Sequence, residues 1–399
     1  MEPIVWEWVN FLVRWLHVIT AIAWIGSSFY FIHLDLSLRR REGLAEGAAG
    51  EAWQIHGGGF YHMVKYMVAP DELPKKLTWF KWEAYATWLS GFCLLAVLYY
   101  HGANLFLIDP EVLDLPWWGA VLISLGALGL GWHVYDRMCK SPLGKDDTKL
   151  ALAGFIFLVA VAWGLSHVFS GRAAMLHVGA LIGTIMSANV FRLIIPNQRK
   201  AVAAMMAGEV PDPALGKAAK QRSLHNNYLT LPVVFLMISN HYSLAFGTRY
   251  SWVIVAVVLV VGAAIRHFFN SKHAGKPPPW WTWGVAAAGV AAIVALSTAG
   301  PKDSVAAGPA RADFAQVEEI VTTRCSMCHA AAPVWEGIAA PPRGLRLDSA
   351  EEIRRHAGPI RTWAVLSNAM PPGNVTRITA EERQVLAAWT DGATDQLPR

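Results

Sequence analysis

Apolar runs longer than a globular core needs constrain this chain more than any other feature. About eight stretches of roughly 18–24 residues could each cross a bilayer as a helix. They lie at about 9–32, 80–100, 117–137, 150–170, 173–195, 228–246, 251–269 and 280–299. In lipid a backbone must satisfy its own N–H and C=O groups, and a single segment does that only as a helix. The pattern predicts an all-α fold, a polytopic membrane bundle of about eight transmembrane helices over residues 1–299. Composition agrees: 54% of residues are hydrophobic and 16% charged, against about 25% charged in soluble domains. The sixth run is the least regular, because Pro232 interrupts it and Asn240-His241 sit inside it.

Loop charge sets the expected orientation. Lys and Arg cluster in the connections 33–79, 137–149, 196–227 and 270–279, whereas the alternate connections are short or acidic, as at Asp109, Glu111 and Asp114. The positive-inside rule makes the first group cytoplasmic. The expectation is a multi-pass protein of a bacterial inner membrane, with its N-terminus and its C-terminal segment in the periplasm. The first run is expected to stay in place, since acidic residues precede it and no small-residue cleavage site follows. The net charge of +5 resides in the loops. The partner it suggests is the lipid bilayer, not nucleic acid.

Cys325-Ser326-Met327-Cys328-His329 is a C-x-x-C-H haem attachment sequence. Cysteines three apart share one side of a helical turn and can form thioethers with two haem vinyl groups, while His329 gives iron its fifth ligand. Bare C-x-x-C also suits zinc or a redox dithiol. Zinc wants a second ligand pair, and no cysteine follows Cys328. Met370, held by Pro371-Pro372, is the candidate sixth ligand. A core-filling methionine is the other reading, and His356 is the competing ligand. An amphipathic helix is expected at 314–323. Thr379 to Glu382 reads as a capping box before a last helix with Val385, Leu386 and Trp389 on its apolar face. Residues 313–399 resemble a class I cytochrome c domain, small and all-α, which implies covalent haem c. Residues 300–312 read as a linker.

Histidines inside apolar runs are costly and suggest function. His17, His167, His177 and His241 fall at one depth, in the outer third of the membrane. His17, His177 and His241 are the first choices to ligate a haem b or another metal in the membrane domain. Hydrogen-bonded core histidines are the alternative. A second polar group is expected at the inner surface. His56-Gly57-Gly58-Gly59-Phe60-Tyr61-His62 is either a close approach of backbone to a ligand or a turn. Gln198 and Arg199 end one run, and His225, Asn226 and Asn227 begin the next. Amide edges with Arg nearby suit an anion. Ser223 and Asn227 as helix caps would explain part of that group.

With these residues in view, the chain resembles the PuuD family of membrane-bound urate oxidases, or urate hydroxylases, with a fused cytochrome c. The segments that carry the resemblance are Arg14-Trp15-Leu16-His17, His56 to His62, 79–85, 194–200, His225-Asn226-Asn227-Tyr228 with Pro232, Asn240-His241-Tyr242 and the C-x-x-C-H tail. It implies oxidation of urate to 5-hydroxyisourate with oxygen from water. Electrons would pass to haem c and on to a soluble or membrane respiratory acceptor. In this reading His62, His225, Asn226 and Asn227 are catalytic. Cys325, Cys328, His17, His177 and His241 bind cofactor, and His329 and Met370 bind metal. A second geometry puts urate at the outer face, beside 109–118. The competing functions are a non-catalytic cytochrome subunit of a respiratory complex, a transporter with a redox-sensing tail, and a porphyrin-oxidising enzyme.

Overall fold

The computed structural model describes residues 2–66, 76–297, 312–335, 338–367 and 369–394. The expected linker, apart from Ala312, lies outside the described residues. α1 (Glu2–Ser37) opens the bundle as a helix of 36 residues. Its apolar side chains Trp8, Phe11, Trp15, Ile19 and Ile22 are exposed. An apolar surface of that extent belongs against lipid.

β1 (Ala48–His56) and β2 (Gly59–Tyr66) pair antiparallel, a short hairpin added to the all-α bundle that the sequence leads one to expect. Gly57 and Gly58, at φ +61 and +80, make a two-residue turn whose left-handed backbone favours glycine. The glycine run is therefore a hairpin turn, the plainer of its two readings. α2 (Trp82–Leu95) continues into two wide turns, Ala96–Tyr100 and Ala103–Leu107. α3 (Trp117–Lys140) follows, then α4 (Asp147–Leu165), whose cap Asp146 accepts from Thr148 N–H and Lys149 N–H. α5 (Gly171–Asn189) starts at Ser170, whose hydroxyl accepts from Ala173 N–H and donates to the Phe106 carbonyl at 2.8 Å. That one cap both ends the orphan amides of α5 and ties it to the end of α2. α5 runs on through Val190–Ile194 into α6 (Ile195–Met206).

α7 (Pro213–Ser239) begins well before the caps expected at Ser223 and Asn227. Asp212 accepts from Ala214 N–H and Pro213 takes the first turn, where a missing N–H costs nothing. α8 (Ser243–Phe246), α9 (Ser251–His273) and α10 (Trp281–Ser297) complete the bundle. α7 and α9 meet where a Cβ at Gly262 would come within 2.5 Å of Pro232; only glycine lets the helices approach so closely. α5 lies at the centre, with Val178, Leu181, Ile182 and Ile185 almost fully buried. Among the described residues five segments are long and apolar enough to cross a membrane: Ile4–Ser37, Trp117–Lys140, Asp147–Leu165, Gly171–Met206 and Ser251–His273. The eight expected spans exceed that count for physical reasons. α2 leaves regular helix after 14 residues, α10 has 17, and the first half of α7 is polar.

The C-terminal unit has its own core, with Val317, Val321, Ile353, Ile378 and Leu386 buried together. It is built from α11 (Phe314–Arg324), α12 (Ser326–His329), α13 (Ala350–Arg355), α14 (Ala357–Ile360) and α15 (Ala380–Thr394). Thr379 Oγ1 accepts from Glu382 N–H at 3.2 Å, and Thr379 N–H donates to the Glu382 carboxylate at 2.8 Å. This reciprocal pair is the capping box legible in the sequence. Arg324 clamps α11 to α15 through Glu382 at 2.9 Å. The unit sits on the bundle: Ala369 packs against the bundle core, and Pro372–Asn374 lies against Ala103–Leu107.

Candidate functional site

The C-x-x-C-H motif closes α11. Cys325 caps that helix, and His329 N–H donates back to the Cys325 carbonyl at 3.0 Å, so both cysteines and the histidine share one turn. His329 Nδ1 pairs with the Leu345 carbonyl at 2.9 Å. That bond assigns the proton to Nδ1 and leaves Nε2 its lone pair. Met370 is held on its loop at both backbone ends: its N–H donates to the Trp363 carbonyl at 2.9 Å, and its carbonyl accepts from Arg383 at 3.1 Å. His356 bonds the Glu352 carbonyl of its own helix at 2.9 Å and does not line the cavity described next.

Cys325, Cys328, His329 and Met370 all line one cavity of about 1200 Å³. Thiols, an imidazole with a free ring nitrogen and a thioether in one large pocket are the donor set that covalent haem requires, so the residues fit that group. The other wall of the cavity belongs to the bundle. Phe106 and Asp109 come from the end of α2, Arg172 from the first turn of α5, and Asn240, His241 and Ser243 from the link between α7 and α8. Burial pushes the Asp109 carboxyl up, while Arg383 of the C-terminal unit pulls it down.

Several buried polar atoms in this chamber have no hydrogen-bond partner among the described residues: Arg172 Nε, Asn240 Oδ1, Ser243 Oγ and Thr376 Oγ1. An unpaired buried polar atom costs about 1–3 kcal/mol, and these four share one cavity. Asn240 Nδ2 is tied to the Met237 carbonyl at 2.6 Å. The Arg172 guanidinium lies 5.0 Å over the Phe106 ring. His241 Nε2 lies 3.3 Å from Arg14 Nη1. Arg14 can only donate, so Nε2 accepts and the ring proton sits on Nδ1.

The expected inner-surface residues are placed differently. His225, Asn226 and Asn227 lie within α7 in a buried polar network. His225 Nδ1 pairs with the Tyr135 hydroxyl at 2.7 Å. Asn226 accepts from Asn189 at 2.9 Å and donates to the Met186 carbonyl at 2.9 Å. Asn227 accepts from Asn270 at 2.9 Å and Arg266 at 3.3 Å. Arg222, 2% exposed, binds Asp136 at 2.9 Å and Asn189 at 3.0 Å. These bonds join α3, α5, α7 and α9. They engage most of these polar groups, though Asn227 Nδ2 stays buried without a hydrogen-bond partner among the described residues, and none of His225, Asn226 and Asn227 lines the chamber. His62 is not part of the network. On β2, it bonds Glu51 at 2.7 Å and stacks on Trp53 at 4.2 Å. Arg41 and His62 hold the Glu51 carboxyl below the usual carboxylate range. The expected catalytic set of His62 with His225, Asn226 and Asn227 is therefore not brought together.

Nor are the three membrane histidines. His177 is fully buried, with Nδ1 on the Ala173 carbonyl at 2.7 Å and Nε2 on the Ser124 hydroxyl at 2.8 Å. Neither nitrogen remains for iron. His17 uses Nδ1 on the Thr87 carbonyl at 3.1 Å, with its ring packed so closely on α2 that a Cβ at Gly91 would meet it at 2.8 Å. His241 faces the chamber and Arg14. The three sit among different neighbours, and only His177 has both ring nitrogens engaged. Among the described residues no three or more His, Cys, Asp or Glu side chains are grouped to hold a metal ion. Arg172 and Ser243 belong to no sequence motif. Their signal was local: an arginine in a helix first turn, and a polar turn directly after Asn240-His241.

A family model described as urate oxidase N-terminal matches residues 3–297. No curated protein and no solved structure matches the chain.

Proposed function

This chain belongs to the urate oxidase N-terminal family, the PuuD-type family, and from that premise we propose the reaction it carries out. Urate and water become 5-hydroxyisourate, with release of two electrons and two protons. Water supplies the oxygen atom, so molecular oxygen is not a reactant. The observation that carries the reading is the shared chamber: one wall holds the C-x-x-C-H motif and Met370, the other the polar end of the bundle. A substrate there lies beside its electron acceptor, and no second cofactor buried in the bundle is needed to connect them.

Haem c, when bound, supplies one-electron acceptance and passes each electron to a soluble or membrane respiratory acceptor. Cys325 and Cys328 would hold it as thioethers, with His329 Nε2 and the Met370 sulfur on iron. The Leu345 carbonyl orients His329, and Arg383 together with the Trp363 carbonyl fixes the Met370 loop. Residues 313–399 act in this reading as a cytochrome c domain. In this reading the basic connections and the hairpin end are on the cytoplasmic side of a bacterial inner membrane, as the positive-inside rule favours, and the chamber faces the periplasm. The purified full-length chain, mixed with urate without oxygen, tests this. Its haem c should become reduced in proportion to urate added, and no hydrogen peroxide should form when oxygen is restored. A haem that stays oxidised with urate present would leave only an electron-transfer subunit.

A further inference from the structure

We propose that the bundle wall of the chamber is a binding site for a planar organic anion, formed by Arg172, Phe106, Asn240, His241 and Ser243. For the identity of its ligand, the proposal rests on the urate reading above.

Unmet valences mark this wall. Arg172 Nε and Ser243 Oγ are buried donors without a partner, though the Arg172 guanidinium also acts on the buried Tyr99 hydroxyl, and Asn240 Oδ1 is a buried acceptor without a partner. Ser243 is only 2% exposed, so bulk water does not compensate it. All three line the same cavity. Asn240 cannot turn away, because its amide nitrogen is anchored on the Met237 carbonyl at 2.6 Å. Its oxygen is thereby presented as a fixed acceptor. The set of free atoms, two donors and one acceptor, matches a heterocycle that carries both ring N–H and C=O groups on its edge. A simple anion such as sulfate offers no N–H for Asn240.

Charge points the same way. Arg14 and Arg172 both act electrostatically on His241. Since Arg14 donates to His241 Nε2 at 3.3 Å, the remaining ring hydrogen on Nδ1 makes His241 a further donor. Arg14 is thus a positioning residue that selects the His241 tautomer. Phe106, already under the Arg172 guanidinium at 5.0 Å, offers an apolar face for a flat ring. Cations, donors, one acceptor and an aromatic face suit a urate-like monoanion and disfavour a neutral aliphatic ligand.

The experiment uses the haem-loaded full-length protein in detergent. Urate binding is measured by equilibrium dialysis, and urate-dependent haem reduction in parallel. Arg172→Gln and Asn240→Ala should each weaken urate binding by about tenfold or more, the effect of losing a hydrogen bond to a charged or buried group. Arg172→Lys should recover part of that loss. Haem content and reduction by ascorbate should be unchanged, which shows that each variant is folded. If both variants bind urate like wild type while wild type still reduces its haem, the site is wrong and the function stands. If wild type binds urate through Arg172 but never reduces haem, the site stands and the function fails. If wild type binds no urate, both fail.

Discussion

At Met370 the backbone does what the side chain needs. Two hydrogen bonds hold the loop on either side of the sulfur, and the side chain lines the cavity that also holds Cys325, Cys328 and His329. A core-filling methionine would instead be enclosed by apolar neighbours on every side. Replacing it, Met370→Ala, should leave haem attached through the cysteines but lower its reduction potential, because thioether ligation raises it. A redox titration of the purified variant decides this; an unchanged potential would return Met370 to a packing role. Single buried residues are also the least legible in a sequence. His177 looks like a ligand because a buried imidazole is costly. Its cost is met by Ser124 and the Ala173 carbonyl, partners that periodicity alone does not reveal.

Among the helices, α7 shows why apolar runs were an incomplete guide. Its first half is polar, so hydropathy places the helix start too late, yet Asp212-Pro213 is a strong start signal in its own right. The polar face is not solvated; it is buried against α3, α5 and α9 through Arg222, Asn226 and Asn227. Those residues look like a binding site in sequence for the same reason they work as a clamp: amides and guanidinium groups can satisfy one another. Removing one partner of a buried ion pair typically costs about 3–5 kcal/mol. Asp136→Ala should therefore lower stability by about 3 kcal/mol, read as a lower thermal midpoint in detergent, while the KM for urate stays near wild type. A raised KM with unchanged stability would make the network part of the substrate site. The hairpin was missed because alternation across 48–66 is weak and its outer face carries Trp53, Ile55 and Phe60, all exposed.

For the molecule as a whole, two hydrophobic cores meet at a chamber that neither owns. Several long apolar helices, the turn of the C-x-x-C-H motif and the last helix are each legible in the sequence, because each is a local pattern. The chamber was not, since its walls come from α2, α5, the α7–α8 link and the C-terminal unit, which adjoin only after folding. The central claim is that urate reaches the same face that carries the haem motif. It is tested most directly in sealed vesicles whose protein has the C-terminal unit facing outward, as shown by protease access. Urate added outside should reduce the haem c at once, and urate trapped inside should not. Reduction only by the trapped urate would contradict the account.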